Sequence, residues 1–255
     1  KYLITQKILM VSLGIGSYYL MGLNGIILGL GVSFFPYVIR IINEFRSSAI
    51  DFSLLKSRVG FMINSYILNI TSAFNGSVDK LIIAPMVGFA LLGNYQLGIQ
   101  FLAVLQIIPS IVYKYILPQE AGGNPNKKLK QATILISIGI AGIGIVLSPI
   151  LVPLVFPKFS EAIQVIQIMS VSVIATTINL TYTSKFLGEE RIKIILISSG
   201  IYIGTLVLSI FLLGKAFGIN GMATALVLAT FSETIFYYLV NKFKKGEQID
   251  KEDAH

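Results

Sequence analysis

Apolar residues fall into eight runs long enough to cross a bilayer, and polar residues collect between them. Windows of about twenty apolar residues place spans at 4–23, 25–42, 59–86, 94–117, 132–156, 162–186, 192–213 and 218–241. Turns containing glycine or proline separate most neighbours, at 22–25, 88–93, 156–160 and 214–218. The longest polar stretches are 43–58, 119–131 and the tail after Asn241. The first run has no small-x-small cleavage site before the second begins, which argues against a signal peptide. This pattern predicts an all-α, polytopic integral membrane bundle.

One phrase occurs twice. Gly22-Leu23-Asn24-Gly25 and Gly218-Ile219-Asn220-Gly221 each open an apolar run, and Phe35 and Phe231 follow ten residues after the second glycine. An offset of 196 residues suits a duplicated lobe of several membrane helices in the same orientation. A chance match of glycine-rich turns is the rival reading. Under duplication Lys1 pairs with Ile197, so the four spans over 59–186 lack counterparts. The expected organisation is then the last two helices of a first lobe (1–42), a cytoplasmic linker (43–58), a complete six-helix second lobe (59–241) and a cytoplasmic tail (242–255). The chain reads as a fragment of a twelve-helix protein, whose missing first-lobe helices would be its partners.

Composition narrows the functions. With 55% hydrophobic and 13% charged residues, a chain of this length must turn apolar surface toward lipid. Cysteine is absent, and the one histidine is the terminal His255. Disulfides, thiolate metal sites and a cysteine nucleophile are excluded, and histidine-based catalysis is disfavoured. The spans contain no paired carboxylates, so no metal or other cofactor is expected.

The net charge of +8 reflects topology. Threading the spans puts seventeen lysines and arginines on one side and only Lys80, Lys158 and Lys215 on the other. That asymmetry predicts cytoplasmic termini and attraction to anionic membrane lipids. Nucleic-acid binding is disfavoured, because the charges are spread over five cytoplasmic segments without interleaved aromatic residues.

Three stretches carry a family resemblance. Val78-Asp79-Lys80-Leu81-Ile82-Ile83 is followed by Val87-Gly88 and Leu92-Gly93-Asn94-Tyr95, Ile116-Leu117-Pro118 ends the next span, and Phe217 to Ala223 opens the last. Together they resemble the polysaccharide-transport branch of the multidrug/oligosaccharidyl-lipid/polysaccharide exporters, which is similar to lipid II flippases and drug/cation antiporters. The resemblance implies two six-helix lobes, alternating access and a plasma or inner membrane location. Members of that branch move undecaprenyl-linked oligosaccharide units bound for the cell surface, and the expected transport involves no covalent chemistry.

Polar residues within spans are functional candidates, because burying them in a membrane is costly. At about 100° per residue, Ser57, Asn64, Ser65, Thr71, Ser72, Asn75 and Asp79 fall within about 120° of one another on the third span. Asn69 lies roughly 40° beyond that arc. Met62, Ile63, Ile67, Ile70, Ala73, Phe74 and Leu81 occupy much of the opposite surface. Such a stripe either lines a cavity whose hydroxyls and amides bind sugar, or bonds neighbouring helices.

Asp79 and Lys80 either form an outer gate with charges on the missing lobe, or Asp79 carries a coupling H+ or Na+. The bland alternative has Lys80 snorkelling to the surface with Asp79 as its solvated companion. Glu233, in the cytoplasmic half of the last span, faces either the bundle interior or the interface. Gln96 and Gln100, with Gln106 and Ser110, are weaker candidates for sugar contacts on the fourth span. Gln164 and Gln167 are weaker still, since polar residues on the sixth span look scattered around the helix. Pro109, Pro149 and Pro153 interrupt helices and permit bends.

The leading expectation is a lipid-linked oligosaccharide flippase. An ion-coupled multidrug exporter of the same fold is the alternative. A membrane-embedded polysaccharide polymerase would need charged catalytic groups and a long outer loop; here Glu161 is the one outer-loop carboxylate. Glu189-Glu190 beside Arg191 reads as a solvated cluster. A purely structural subunit is the remaining class.

Overall fold

The computed structural model describes residues 2–47, 59–60, 63, 66–67, 70 and 78–252. All regular structure among the described residues is helical: α1 (Tyr2–Met21), α2 (Leu23–Val32), α3 (Phe35–Ser47), α4 (Val78–Leu105), α5 (Ile107–Ala121), α6 (Lys127–Val155), α7 (Ala162–Ser170), α8 (Ser172–Gly188) and α9 (Ile192–Glu252). Two compact units divide the chain, Lys1–Gly60 and Phe61–His255.

Four stretches are long and apolar enough to cross a membrane: Leu23–Arg46, Lys127–Val155, Ala162–Gly188 and Ile192–Phe243. Leu91–Leu105 with Ile107–Ala121 makes a fifth, bent by 48°. The 52 residues of Ile192–Phe243 would run about 78 Å as one straight helix at 1.5 Å per residue. That is more than twice the ~30 Å hydrocarbon core. The helix breaks at Gly218, and each leg is long enough to span.

Surface and interior are inverted relative to a protein in water. Leu135, Leu154 and Leu208 are 71%, 77% and 63% exposed, whereas Ser137, Ser172 and Ser198 are fully buried. An apolar exterior of this extent is stable only in lipid. The buried hydroxyls are satisfied within their own helices, as in Ser137 Oγ to Ile134 O (2.6 Å) and Thr177 Oγ1 to Val173 O (2.7 Å). They therefore fill interhelical space without orphaned donors. The protein is an all-α, multi-pass membrane bundle.

Three of the expected turns contract to single glycines. Gly22 (φ 62°), Gly88 (φ 79°) and Gly218 (φ 58°) break the helix alone, each in the left-handed region that only glycine adopts cheaply. The two copies of the repeated phrase have the same backbone: φ/ψ of 62°/−142° at Gly22 and 58°/−137° at Gly218. Three residues later the likeness continues. A Cβ at Gly25 would lie 1.9 Å from Ser17 O, and one at Gly221 would lie 2.0 Å from Leu213 O. In both copies the carbonyl lies eight residues back. Each chain thus folds back on itself with two backbones in direct contact.

Elsewhere the elements depart modestly from the sequence pattern. The fourth span starts soon after Gly88 rather than at Asn94, and it bends at Gln106. Pro109 accounts for the bend: it has no N–H to give the Leu105 carbonyl, and its ring crowds that group. Pro149 and Pro153 sit inside the unbroken α6. The last helix runs on through the polar tail to Glu252.

In the second unit α7 and α8, continuous through Val171, occupy the centre and pack against α4, α5, α6 and α9. Half of their most apolar stretch is buried (50%), against 28% in α6 and 33% in α9. Tyr95, Met169, Val173, Leu206, Met222 and Leu226 form the core around them.

Candidate functional site

A cavity of about 360 Å³ opens inside the second unit, between α4, α8 and α9. One wall is a single face of α8. Ser172, Thr176, Asn179 and Thr183 line it, at i, i+4, i+7 and i+11, which stacks them within one helical stripe. From α9 come Tyr202 on one leg of the hairpin and Thr230 and Glu233 on the other; from α4 come Asp79, Ile99 and Leu102, with Gln106 from its bend. Among the described residues no lysine or arginine lines it.

Two carboxylates share this space. Asp79 is 4% exposed. Its Oδ2 accepts from the Tyr95 hydroxyl at 3.0 Å, and its Oδ1 from the Lys80 backbone N–H at 2.8 Å. Burial excludes the solvated-companion reading of Asp79. Glu233 Oε2 accepts from Asn179 Nδ2 at 2.9 Å, and Oε1 from the Ser198 hydroxyl at 3.2 Å. It faces the bundle interior, and its hydrogen-bond partners among the described residues are neutral. Tyr202 lines the cavity with both carboxylates.

The carboxylates stand at different depths. Asp79 lies nine residues before the Gly88 turn and Glu233 fifteen after the Gly218 turn. At 1.5 Å per residue those distances are about 13 and 22 Å along the helices. Asp79 is therefore nearer the end where both glycine turns lie, and Glu233 nearer the opposite end.

Asn179 organises the Glu233 side. Its Nδ2 group donates to Glu233 and to Thr230 O (3.1 Å), and its Oδ1 accepts from Thr234 Oγ1 (2.7 Å). With both ends engaged the amide cannot turn freely. Tyr237 Oη lies 2.7 Å from Ser198 Oγ and 3.2 Å from Thr183 Oγ1. Tyr182, Phe186 and Tyr237 then stack with centroids 5.6–6.3 Å apart, beside the turn where Arg191 sits over Phe186 at 5.8 Å.

The structure unites some sequence candidates and separates others. Asp79 and Glu233 meet in one cavity, and Gln106 joins them, 3.4 Å from Thr176 Oγ1. Gln96 and Gln100 are not in its lining, and Gln100 is exposed. Lys80 follows Asp79 in the helix and does not line the cavity. Gln167 donates instead to Ile145 O (3.3 Å), and Gln164 accepts from Asn220 Nδ2 (2.7 Å). Asn64, Ser65, Thr71, Ser72 and Asn75 lie outside the described residues, as do Ser57 and Asn69. On the side expected to be apolar, Ile63, Ile67, Ile70 and Leu81 are exposed.

Thr177, Thr181 and Ser184 lie on other faces of the sixth span, but beside them it holds one ordered polar set. Its second half carries the ordered stripe on α8, which the i, i+4, i+7 spacing would have revealed. Tyr95, Tyr202 and Tyr237 were missed because a tyrosine inside an apolar run reads as core or membrane-interface residue.

The arrangement supplies hydroxyl and amide groups that both donate and accept, plus two acidic groups at separate depths. That is binding chemistry. Among the described residues no cluster of three or more His, Cys, Asp or Glu is placed to hold a metal.

No protein-family model matches the sequence, and no curated protein matches it significantly. Among solved structures, the fold is similar to that of the MATE transporter ClbM in complex with Rb+, with 13% identity and a TM-score of 0.55. The match covers 93% of this chain and 58% of that one, so this chain spans less than two thirds of the transporter's length. Over nearly its whole length, the chain shares the fold of a MATE transporter.

Proposed function

We propose that this chain forms part of a membrane exporter that flips a lipid-linked oligosaccharide across the plasma or inner membrane. The observation that carries the reading is the cavity wall. Ser172, Thr176, Asn179 and Thr183 face Thr230, Gln106 and Tyr202 across it, and such groups match sugar hydroxyls, which donate and accept alike. The matching turns at Gly22 and Gly218 support two duplicated lobes, with further helices of the same protein completing the first. Under alternating access the lobes rock against each other, and this cavity is the second lobe's share of the path, with no covalent step. The basic residues favour cytoplasmic termini.

A second reading is favoured by Asp79 and Glu233 in one cavity that no basic residue lines among the described residues: an H+- or Na+-coupled exporter of organic cations. The Rb+ bound to the solved neighbour supports monovalent cation coupling under that reading. Reconstituting the complete protein in vesicles separates the two. Transfer of labelled undecaprenyl-diphosphate-linked oligosaccharide between leaflets supports flipping. Counterflow of tetraphenylphosphonium against a Na+ or proton gradient, with the oligosaccharide lipid left in place, would establish the second reading instead.

A further inference from the structure

We infer that the second unit holds a separate saccharide-binding subsite, built from Glu161, Gln164, Phe217 and Asn220 at the end of the bundle where the 156–160 and Gly218 turns meet. It rests on the flippase reading and locates where the sugars dock as they leave the central cavity. A hollow of about 550 Å³ lies at this end and, among the described residues, shares no lining residue with the central cavity. The charge asymmetry of the chain makes this the non-cytoplasmic end, because its flanking cations are only Lys80, Lys158 and Lys215.

The chemistry of the hollow selects the ligand. Asn220 Nδ2 donates to Gln164 Oε1 at 2.7 Å, tying the turn of α9 to the start of α7 and fixing the Gln164 amide. Its NH2 group makes no hydrogen bond seen among the described residues, so two donors remain. The Asn220 carbonyl oxygen is buried and has no partner among the described residues. Ser160 and Glu161 add a hydroxyl and an acceptor, and Phe217, 68% exposed, offers a flat apolar face beside them.

A pyranose ring needs this combination, an aromatic platform for its C–H face and mixed donors and acceptors for its hydroxyls. A phosphate headgroup does not fit, because among the described residues no lysine or arginine lines the hollow and Glu161 would repel it. A simple organic cation would engage Glu161 and leave both amides without a role.

The chain has no tryptophan, so Phe217→Trp adds a fluorescent reporter at the site, read as the difference from the complete protein without the substitution. The complete protein carrying this substitution, in vesicles, is titrated with chitotetraose and with tetraphenylphosphonium. Saturable quenching by chitotetraose alone is expected, with its apparent Kd raised at least tenfold by Gln164→Leu. No response to the sugar, a response indifferent to Gln164→Leu, or a response to the cation that Glu161→Gln removes would each overturn the subsite. In parallel, Gln164→Leu with native Phe217 is assayed for flipping of undecaprenyl-diphosphate-linked oligosaccharide, where at least a fivefold loss is expected. Wild-type flipping together with normal flipping by Gln164→Leu refutes the subsite alone. No flipping by the wild type refutes the function on which it rests, and the subsite as an exit site with it.

Discussion

The Tyr95 hydroxyl donates to Asp79 Oδ2 across the fold at Gly88, joining the two legs of α4 at 3.0 Å. The residues stand nine before and seven after that glycine, so the bond is a rung between antiparallel helices. A hydrogen bond to a charged group contributes about 1.5–3 kcal/mol. Tyr95→Phe is expected to destabilise the protein by about that much, read as a lower midpoint of thermal unfolding in detergent. In an Asp79→Asn background the effect should fall to about 0.5–1.5 kcal/mol. An equal loss in both backgrounds would show that the hydroxyl acts elsewhere.

Asn179 is expected to be as important for transport as the carboxylate that it holds. Asn179→Leu preserves approximate volume but removes the donor to Glu233 Oε2 and the acceptor for Thr234. Leaving such groups unpaired costs about 1–3 kcal/mol each. Transport should drop at least tenfold while membrane protein levels stay above half of wild type. Normal export by this variant would remove Asn179 from the working site.

The glycine turns make a sharper stability prediction. Gly221→Ala places a methyl 2.0 Å from the Leu213 carbonyl oxygen, a backbone atom that cannot swing away. A cost of about 1–3 kcal/mol is expected from overpacking. Gly200→Ala, in the same helix with no atom within 4 Å of the new methyl, should instead be neutral or stabilising by roughly 0.5–1 kcal/mol. Comparing the two melting points tests whether the backbones touch as described.

Topology is directly measurable, because the chain has no cysteine to mask. Single cysteines replacing Lys127 and Lys215 should react with an impermeant maleimide from opposite faces of the membrane. Labelling of both from one face would overturn the threading.

Much of the architecture was legible because run length and turn glycines are properties of the chain itself. Asp79 and Glu233 stood out for a related reason, as charges within apolar runs. Their meeting in one cavity was not legible, because it depends on how distant spans pack. The bend in the fourth span was legible in Pro109, which leaves the Leu105 carbonyl without a donor; Pro149 and Pro153 carry the same signal, yet α6 stays unbroken around them. Gln164 and Gln167 at the start of the sixth span hid the regular stripe behind them. The larger amide side chains drew attention from small hydroxyls with better spacing.

The contact at Gly221 also constrains how the bundle can move. With Gly221 pressed against the Leu213 carbonyl near the turn and Ser198 bonded to Glu233 and Tyr237 farther along, the two legs are tied together at both ends. The hairpin from Ile192 to Phe243 must travel as a single lever. Flexure then falls to joints where the ladder is already open, and the kink at Gln106, whose own amide reaches Thr176 on the cavity wall, couples such a joint to whatever occupies the cavity.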